Sequence, residues 1–139
     1  MVQVHIENRQ KALPIRKRFF SNIVKETLQF LNIHCSEIAI YFVTEKQISK
    51  LHDEFFQDPT STDCISFPLD KEHLGEIFVC PSVAISYAEK HSLLPLQETT
   101  LYLIHGILHL IGYDDLSPKD KKEMRRMEKK CMDHLVQFF

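Results

Sequence analysis

The chain has no stretch approaching the ~20 uninterrupted apolar residues of a membrane span. It also has no Cys-x-x-Cys pair, internal repeat or low-complexity segment. These absences argue against a helical membrane anchor, a dithiol redox site and a repeat architecture. The N-terminus, Met1 to Glu7, lacks the positive-then-apolar pattern of an export signal, so the expected setting is the cytoplasm. There the four cysteines, Cys35, Cys64, Cys80 and Cys131, read as small reduced apolar fillers. Charge of one sign is lacking too: 17 Lys and Arg against 19 Asp and Glu leave a net −2. The molecule as a whole therefore does not advertise nucleic-acid binding, although Lys119, Lys121, Lys122, Arg125, Arg126, Lys129 and Lys130 crowd its last helical segment. A smaller basic group comprises Lys11, Arg16, Lys17 and Arg18.

What remains is 139 residues, 44% of them apolar, enough for one core; residues 1–139 are expected to form one domain. Val2 to Glu7 alternates as a half-buried strand does, and Ile38 to Val43 is a continuous apolar run that predicts a central strand. Between them, after Pro14, Phe19 or Phe20, Ile23, Val24, Thr27, Leu28 and Leu31 fall on one helical face. Thr44 and Gln47 form a capping-box pattern for a helix through Ile48, Leu51 and Phe55. Residues 57–63 are loop chemistry, 64–67 and 76–80 predict two more strands, and about 82–90, about 97–111 and the segment after Ser117-Pro118 predict helices. Interleaved elements of this kind predict an α+β fold, a small mixed four-stranded sheet packed with about five helices.

The most informative segment runs from His105 to Asp115, His-Gly-Ile-Leu-His-Leu-Ile-Gly-Tyr-Asp-Asp. Positions i and i+4 share a helical face, so His105 and His109 can reach one ion. Gly112 supplies a left-handed stop, and Asp115, six residues after His109, can return a third ligand. The predicted site is His105, His109 and Asp115 around one Zn²⁺, with a coordination position open; the carboxylate also admits other divalent metals. Gly106 occupies the position where zinc peptidases carry a glutamate base, which argues against peptide hydrolysis and suggests that something approaches the helix closely there. Asp114 is a candidate to hydrogen-bond a ligand imidazole. The remaining histidines, His5, His34, His52, His73, His91 and His134, read as surface or strand-face residues.

This segment resembles the hallmark of the YbeY endoribonucleases, His-Gly-x-Leu-His-Leu-x-Gly-Tyr-Asp-His, at every specified position but the last, where Asp115 replaces a third histidine. Thr62 to Pro68 is similar to the family's Thr-Asp-Val-Leu-Ser-Phe-Pro, and Leu74 to Ile77 to its Leu-Gly-Asp-Ile. Glu98, Met124 and Glu128 also fall at family positions. Phe55 and Phe56 depart from the pattern, standing where the family usually carries Tyr-Arg, and phenylalanine cannot offer bidentate donors to a phosphate.

The resemblance implies a metzincin-like fold and a single-strand-specific, metal-dependent endoribonuclease. The implied role is 16S rRNA 3′-end maturation and ribosome quality control, with rRNA and the small subunit or its assembly factors as partners. It also brings Asp63 and Ser66 near the metal as candidate catalytic side chains, alongside Asp114. Without a clear general base, water activation by the metal and attack by the RNA 2′-hydroxyl both remain open routes. The alternative is a non-catalytic, zinc-containing ribosome-assembly or RNA-binding factor, which Phe56 in place of arginine would allow.

Overall fold

The computed structural model describes all 139 residues. Alternation sets the sheet: Val4 and Ile6 of β1 (Gln3–Asn8) lie beside Ile38 and Ile40 of β2 (Glu37–Phe42) in parallel register. Ile40 and Phe42 lie in turn beside Ile77 and Val79. Between β1 and β2 the chain makes α1 (Lys17–Phe30), whose buried Phe20, Ile23, Val24 and Leu28 form the apolar stripe expected from their spacing. Thr44 caps α2 (Glu45–Phe56) through a complete capping box with Gln47. Next come β3 (Cys64–Pro68) and β4 (His73–Val79), the latter three residues longer at its start than the sequence suggested. The sheet order is β1-β2-β4-β3, with β3 antiparallel at the edge and the other pairs parallel. The α+β class and mixed four-stranded sheet are therefore as expected, with five α-helices completed by α3 (Pro81–His91), α4 (Pro95–Leu110) and α5 (Pro118–Leu135).

Helix α4 is the structural centre. Thr99, Thr100, Leu103, Ile104, Ile107 and Leu108 are all fully buried, so it is enclosed on nearly every side. Its start differs slightly from expectation: Pro95 is the first helical residue and not part of the preceding turn. The four cysteines are free, Cys80 and Cys131 buried in the two apolar clusters, as fillers should be. No helix is long and apolar enough to cross a membrane.

The close approach expected at Gly106 is present. A methyl group on Gly106 would stand 2.6 Å from Ile77 Cγ2 and 3.1 Å from Ser66 Oγ, and the Ser66 hydroxyl donates to the Gly106 carbonyl at 3.1 Å. Ile77 is fully buried in the core, so it cannot swing aside. Only glycine lets α4 sit this low over β3 and β4, which fixes the height of both histidines above the sheet edge.

Gly106→Ala is accordingly expected to destabilise the fold. The helix would gain about 1 kcal/mol of intrinsic propensity, but overpacking a rigid core costs about 1–3 kcal/mol, and the second effect wins. A lower denaturant midpoint checks this; an unchanged or higher one would mean that the sheet yields to the added methyl.

Candidate metal centre

Three chain segments build the site. His105 and His109 lie one turn apart on the only partly open face of α4. The helix ends in a Schellman arrangement: the Tyr113 amide donates to the Leu108 carbonyl at 3.0 Å and the Gly112 amide to that of His109 at 3.1 Å. Gly112 takes φ +105° with open space around its α-carbon, so it is there for its backbone conformation and not for packing. The reversal brings Asp115 back over the imidazoles. The Asp114 carboxylate accepts from the Asp115 amide at 2.7 Å, which holds that returning backbone.

The donor atoms converge as the spacing predicted. Nε2 of His105 and Nε2 of His109 are 3.0 Å apart, and Asp115 Oδ2 lies 3.5 and 3.6 Å from them. Sides of these lengths enclose a point about 2.0 Å from every corner, the bond length of zinc to nitrogen and carboxylate oxygen. Two imidazole nitrogens at 3.0 Å can share a ring N–H as a hydrogen bond, or can both turn their lone pairs toward a cation placed between them. The cluster of His105, His109 and Asp115 is thus one that can hold a metal ion.

The tautomer is set from α5. His105 Nδ1 donates to Glu128 Oε2 at 2.5 Å, leaving Nε2 with its lone pair for a ligand. Asp114 had been the candidate for this task, but it makes its contact with the Asp115 backbone and Glu128 does the work. Burial by itself would push the His105 pKa down; the hydrogen bond and charge of Glu128, with the charges of Asp63 and Asp115, outweigh it and hold the ring above the usual histidine range.

Asp63 and Ser66 both have structural partners. Asp63 Oδ1 accepts from the Cys64 amide at 2.7 Å and from the Thr62 hydroxyl, while its charge still acts on His105, Glu98 and Tyr102. Ser66 is engaged by Gly106. Glu98 is 7% exposed, and burial raises its pKa more than the hydrogen bond from Tyr102 lowers it. Burial and the charges of Asp63, Glu128 and Asp115 push the Cys64 thiol far up, so it is no nucleophile at neutral pH.

Two depressions flank the donors. On the His105 and Asp115 side, a recess of about 160 Å³ is walled by Lys121, Met124, Arg125 and Glu128 of α5. On the His109 side, a cleft of about 340 Å³ is lined by His52 and Phe56 of α2 and by residues of β3, among them Ser66. Sequence reasoning gave His52 no role and did not single out Glu128 as an imidazole partner. The only local signal for Glu128 was its i+4 spacing from the buried Met124 on a helix otherwise full of charges.

The family model for Endoribonuclease YbeY matches residues 5–136. The chain belongs to the Endoribonuclease YbeY family. An Endoribonuclease YbeY of Protochlamydia amoebophila is 48% identical, covering 97% of this chain and 94% of that protein. Another, from Chlamydia caviae, is 38% identical over 94% of this chain and 89% of its own length. Among solved structures, the solution structure of TM1509 from Thermotoga maritima aligns with a TM-score of 0.69 at 27% identity, covering 96% of this chain and 89% of that one.

Replacing Glu128 by alanine should weaken metal affinity by about 10–100-fold, the usual loss when a ligand imidazole is deprived of its carboxylate. Competition against a chromophoric chelator checks it, and equal affinity would dismiss Glu128 as a support. Metal affinity should also be flat above the raised pKa of His105 and fall as pH drops through it, because the ion and the proton compete for Nε2. Affinity constant between about pH 8 and about pH 5 would exclude the imidazoles as ligands.

Proposed function

We propose that this chain is a metal-dependent endoribonuclease cutting single-stranded RNA, with rRNA of the small ribosomal subunit as its physiological substrate in 16S rRNA 3′-end maturation and ribosome quality control. The observation that carries the reading is the convergence of His105, His109 and Asp115 on one point, flanked by a recess that Lys121 and Arg125 line. Its relatives named Endoribonuclease YbeY support the reaction class. The same reading takes residues 1–139 as one catalytic domain working in the cytoplasm, which four free cysteines suit.

The metal is proposed to be Zn²⁺, one per chain, on the strength of two imidazoles and a carboxylate at tetrahedral-site spacing. When bound, it supplies Lewis-acid polarisation of a phosphodiester oxygen and a means of generating the nucleophile. The chain's own residues do the rest. Glu128 holds the His105 ring in the ligating tautomer and orientation. Lys121 and Arg125, facing the recess on the same side as His105, meet the phosphate and offset its charge. By contrast Arg126 is paired with Glu123 and Lys129 with Asp133 on outer faces of α5, so only part of that basic run serves the site. Asp63, with its charge acting on His105, is the carboxylate we assign to steadying positive charge there; Ser66 and Asp114 act by holding the helix and the returning loop.

One observation favours a second reading, a zinc-containing RNA-binding or ribosome-assembly factor without cleavage: Phe56 stands where a phosphate-gripping arginine would, beside His109. Purified protein separates the two. Cleavage of a single-stranded RNA should be lost by more than about 100-fold in His109→Ala and after chelation. Binding without cleavage in the metal-loaded wild type would favour the assembly factor. Lys121→Ala with Arg125→Ala should make the salt dependence of RNA affinity shallower by about 0.7 per lost contact, and an unchanged slope would move phosphate binding elsewhere.

A further inference from the structure

The two sides of the metal centre differ in chemistry. The recess next to His105 is charged, with Lys121 and Arg125 beside Asp115 and Glu128, whereas the larger cleft next to His109 has no Asp, Glu, Lys or Arg in its lining. Phe56 and His52, one turn apart on α2, stand at that cleft with ring centroids 5.6 Å apart. Phe56 is 54% exposed, so its ring contributes little to the core; it is an apolar plane held in water beside a ligand imidazole. Its setting is fixed. Gln57 ends α2 in the left-handed conformation, and His52 Nδ1 bonds the Thr60 carbonyl at 2.9 Å, pinning the loop that follows. That bond also leaves His52 Nε2 as an acceptor, with the hydroxyls of Thr62 and Ser66 elsewhere in the lining.

We infer that the cleft on the His109 side receives a nucleobase of the RNA, stacked on Phe56 and hydrogen-bonded at its edge by His52 and Thr62, while the phosphate of the same nucleotide lies toward Lys121 and Arg125. The inference rests on the ribonuclease reading and adds a polarity to it. A cleft without carboxylates or basic chains, and partly aromatic, suits the planar, uncharged part of a nucleotide, and Lys121 and Arg125 of the recess, the donors there that an anion can meet, suit its phosphate. A charged peptide or a bare phosphate finds no counter-charge in the cleft. Phe55, the neighbouring residue, packs edge-on against Phe67 with centroids 4.9 Å apart, so the two phenylalanines divide their roles: Phe55 anchors the end of α2 to β3 and leaves Phe56 at the cleft.

The test uses metal-loaded full-length protein and a short single-stranded RNA carrying 2-aminopurine, whose fluorescence is quenched on stacking and is read on mixing, before turnover. Wild type should quench it. Phe56→Ala should abolish the quench and weaken binding about 10-fold at every salt concentration without changing the salt slope, since stacking releases no counterions. Phe56→Tyr should restore both, and Phe56→Arg should steepen the slope by about 0.7 through a new phosphate contact. If Phe56→Ala, with an intact far-ultraviolet spectrum, binds and quenches as wild type does while RNA is still cleaved, the base assignment is overturned and the ribonuclease reading stands. If Phe56→Tyr loses as much as Phe56→Ala, Phe56 acts through packing and the assignment is equally overturned. A wild type that neither binds nor cuts RNA overturns the parent reading, and the base assignment falls with it.

Discussion

Two imidazole nitrogens 3.0 Å apart, His105 Nε2 and His109 Nε2, can both turn their lone pairs inward only when a positive charge stands between them; without one, the ring N–H of one donates to the other. Much of the surrounding structure is arranged to supply or neutralise that charge. Asp115 Oδ2 closes the third side, Glu128 takes the far nitrogen of His105, and Asp63 adds its field from the loop before β3. A neutral pair of histidines would make this gathering of carboxylates self-repelling. With a cation present, the same groups become a closed set in which each anion has a partner. The raised His105 pKa expresses the same demand: absent an ion, a proton is drawn to the place the ion would take.

That arrangement needs α4 at one height above the sheet, and here packing and electrostatics meet. Gly106 sits between the two ligands in sequence and directly over Ile77 in space. The residue that would carry a general base in a zinc peptidase is thus turned toward the core, away from the ion. The chemistry that glycine excludes and the packing it permits have one cause, a helix face without a β-carbon. Packing of α4 against the sheet, α3 and α5 on its other sides holds His105 and His109 in place on its open face.

What could be read from the sequence was whatever depends on neighbours along the chain. The i, i+4 histidines, the glycine stop that returns Asp115, the capping box at Thr44 and Gln47, and the stripe of α1 are local geometry, and all appear where expected. The early start of β4 at His73 was not legible, because it is fixed by pairing across to Glu37 and not by any pattern in residues 73–75. Glu128 as the imidazole partner, and His52 at the cleft, were hidden for the same reason. Each meets the site only after the chain has crossed the sheet, and each looks from its neighbours like an ordinary surface residue. Asp114 was the near-miss: proximity in sequence suggested an imidazole contact, but the tight turn after Gly112 spends its carboxylate on the adjacent amide.

The elements that contact the site come from separate parts of the chain, so residue 56 can vary without disturbing the His105, His109 and Asp115 cluster. The ligands and their tautomer depend on α4, its terminal turn and α5. Residue 56 depends on α2, which is held through Thr44, the Gln57 turn and the packing of Phe55 on Phe67, none of which touches a ligand. A change at residue 56 therefore alters what lies in the cleft while the donor triangle keeps its dimensions. The cations that line the two depressions, Lys121 and Arg125, both face the recess on the α5 side. With those cations confined to one flank, the electrostatics of the two sides of the cluster differ, and that asymmetry is set by α5 and not by α2.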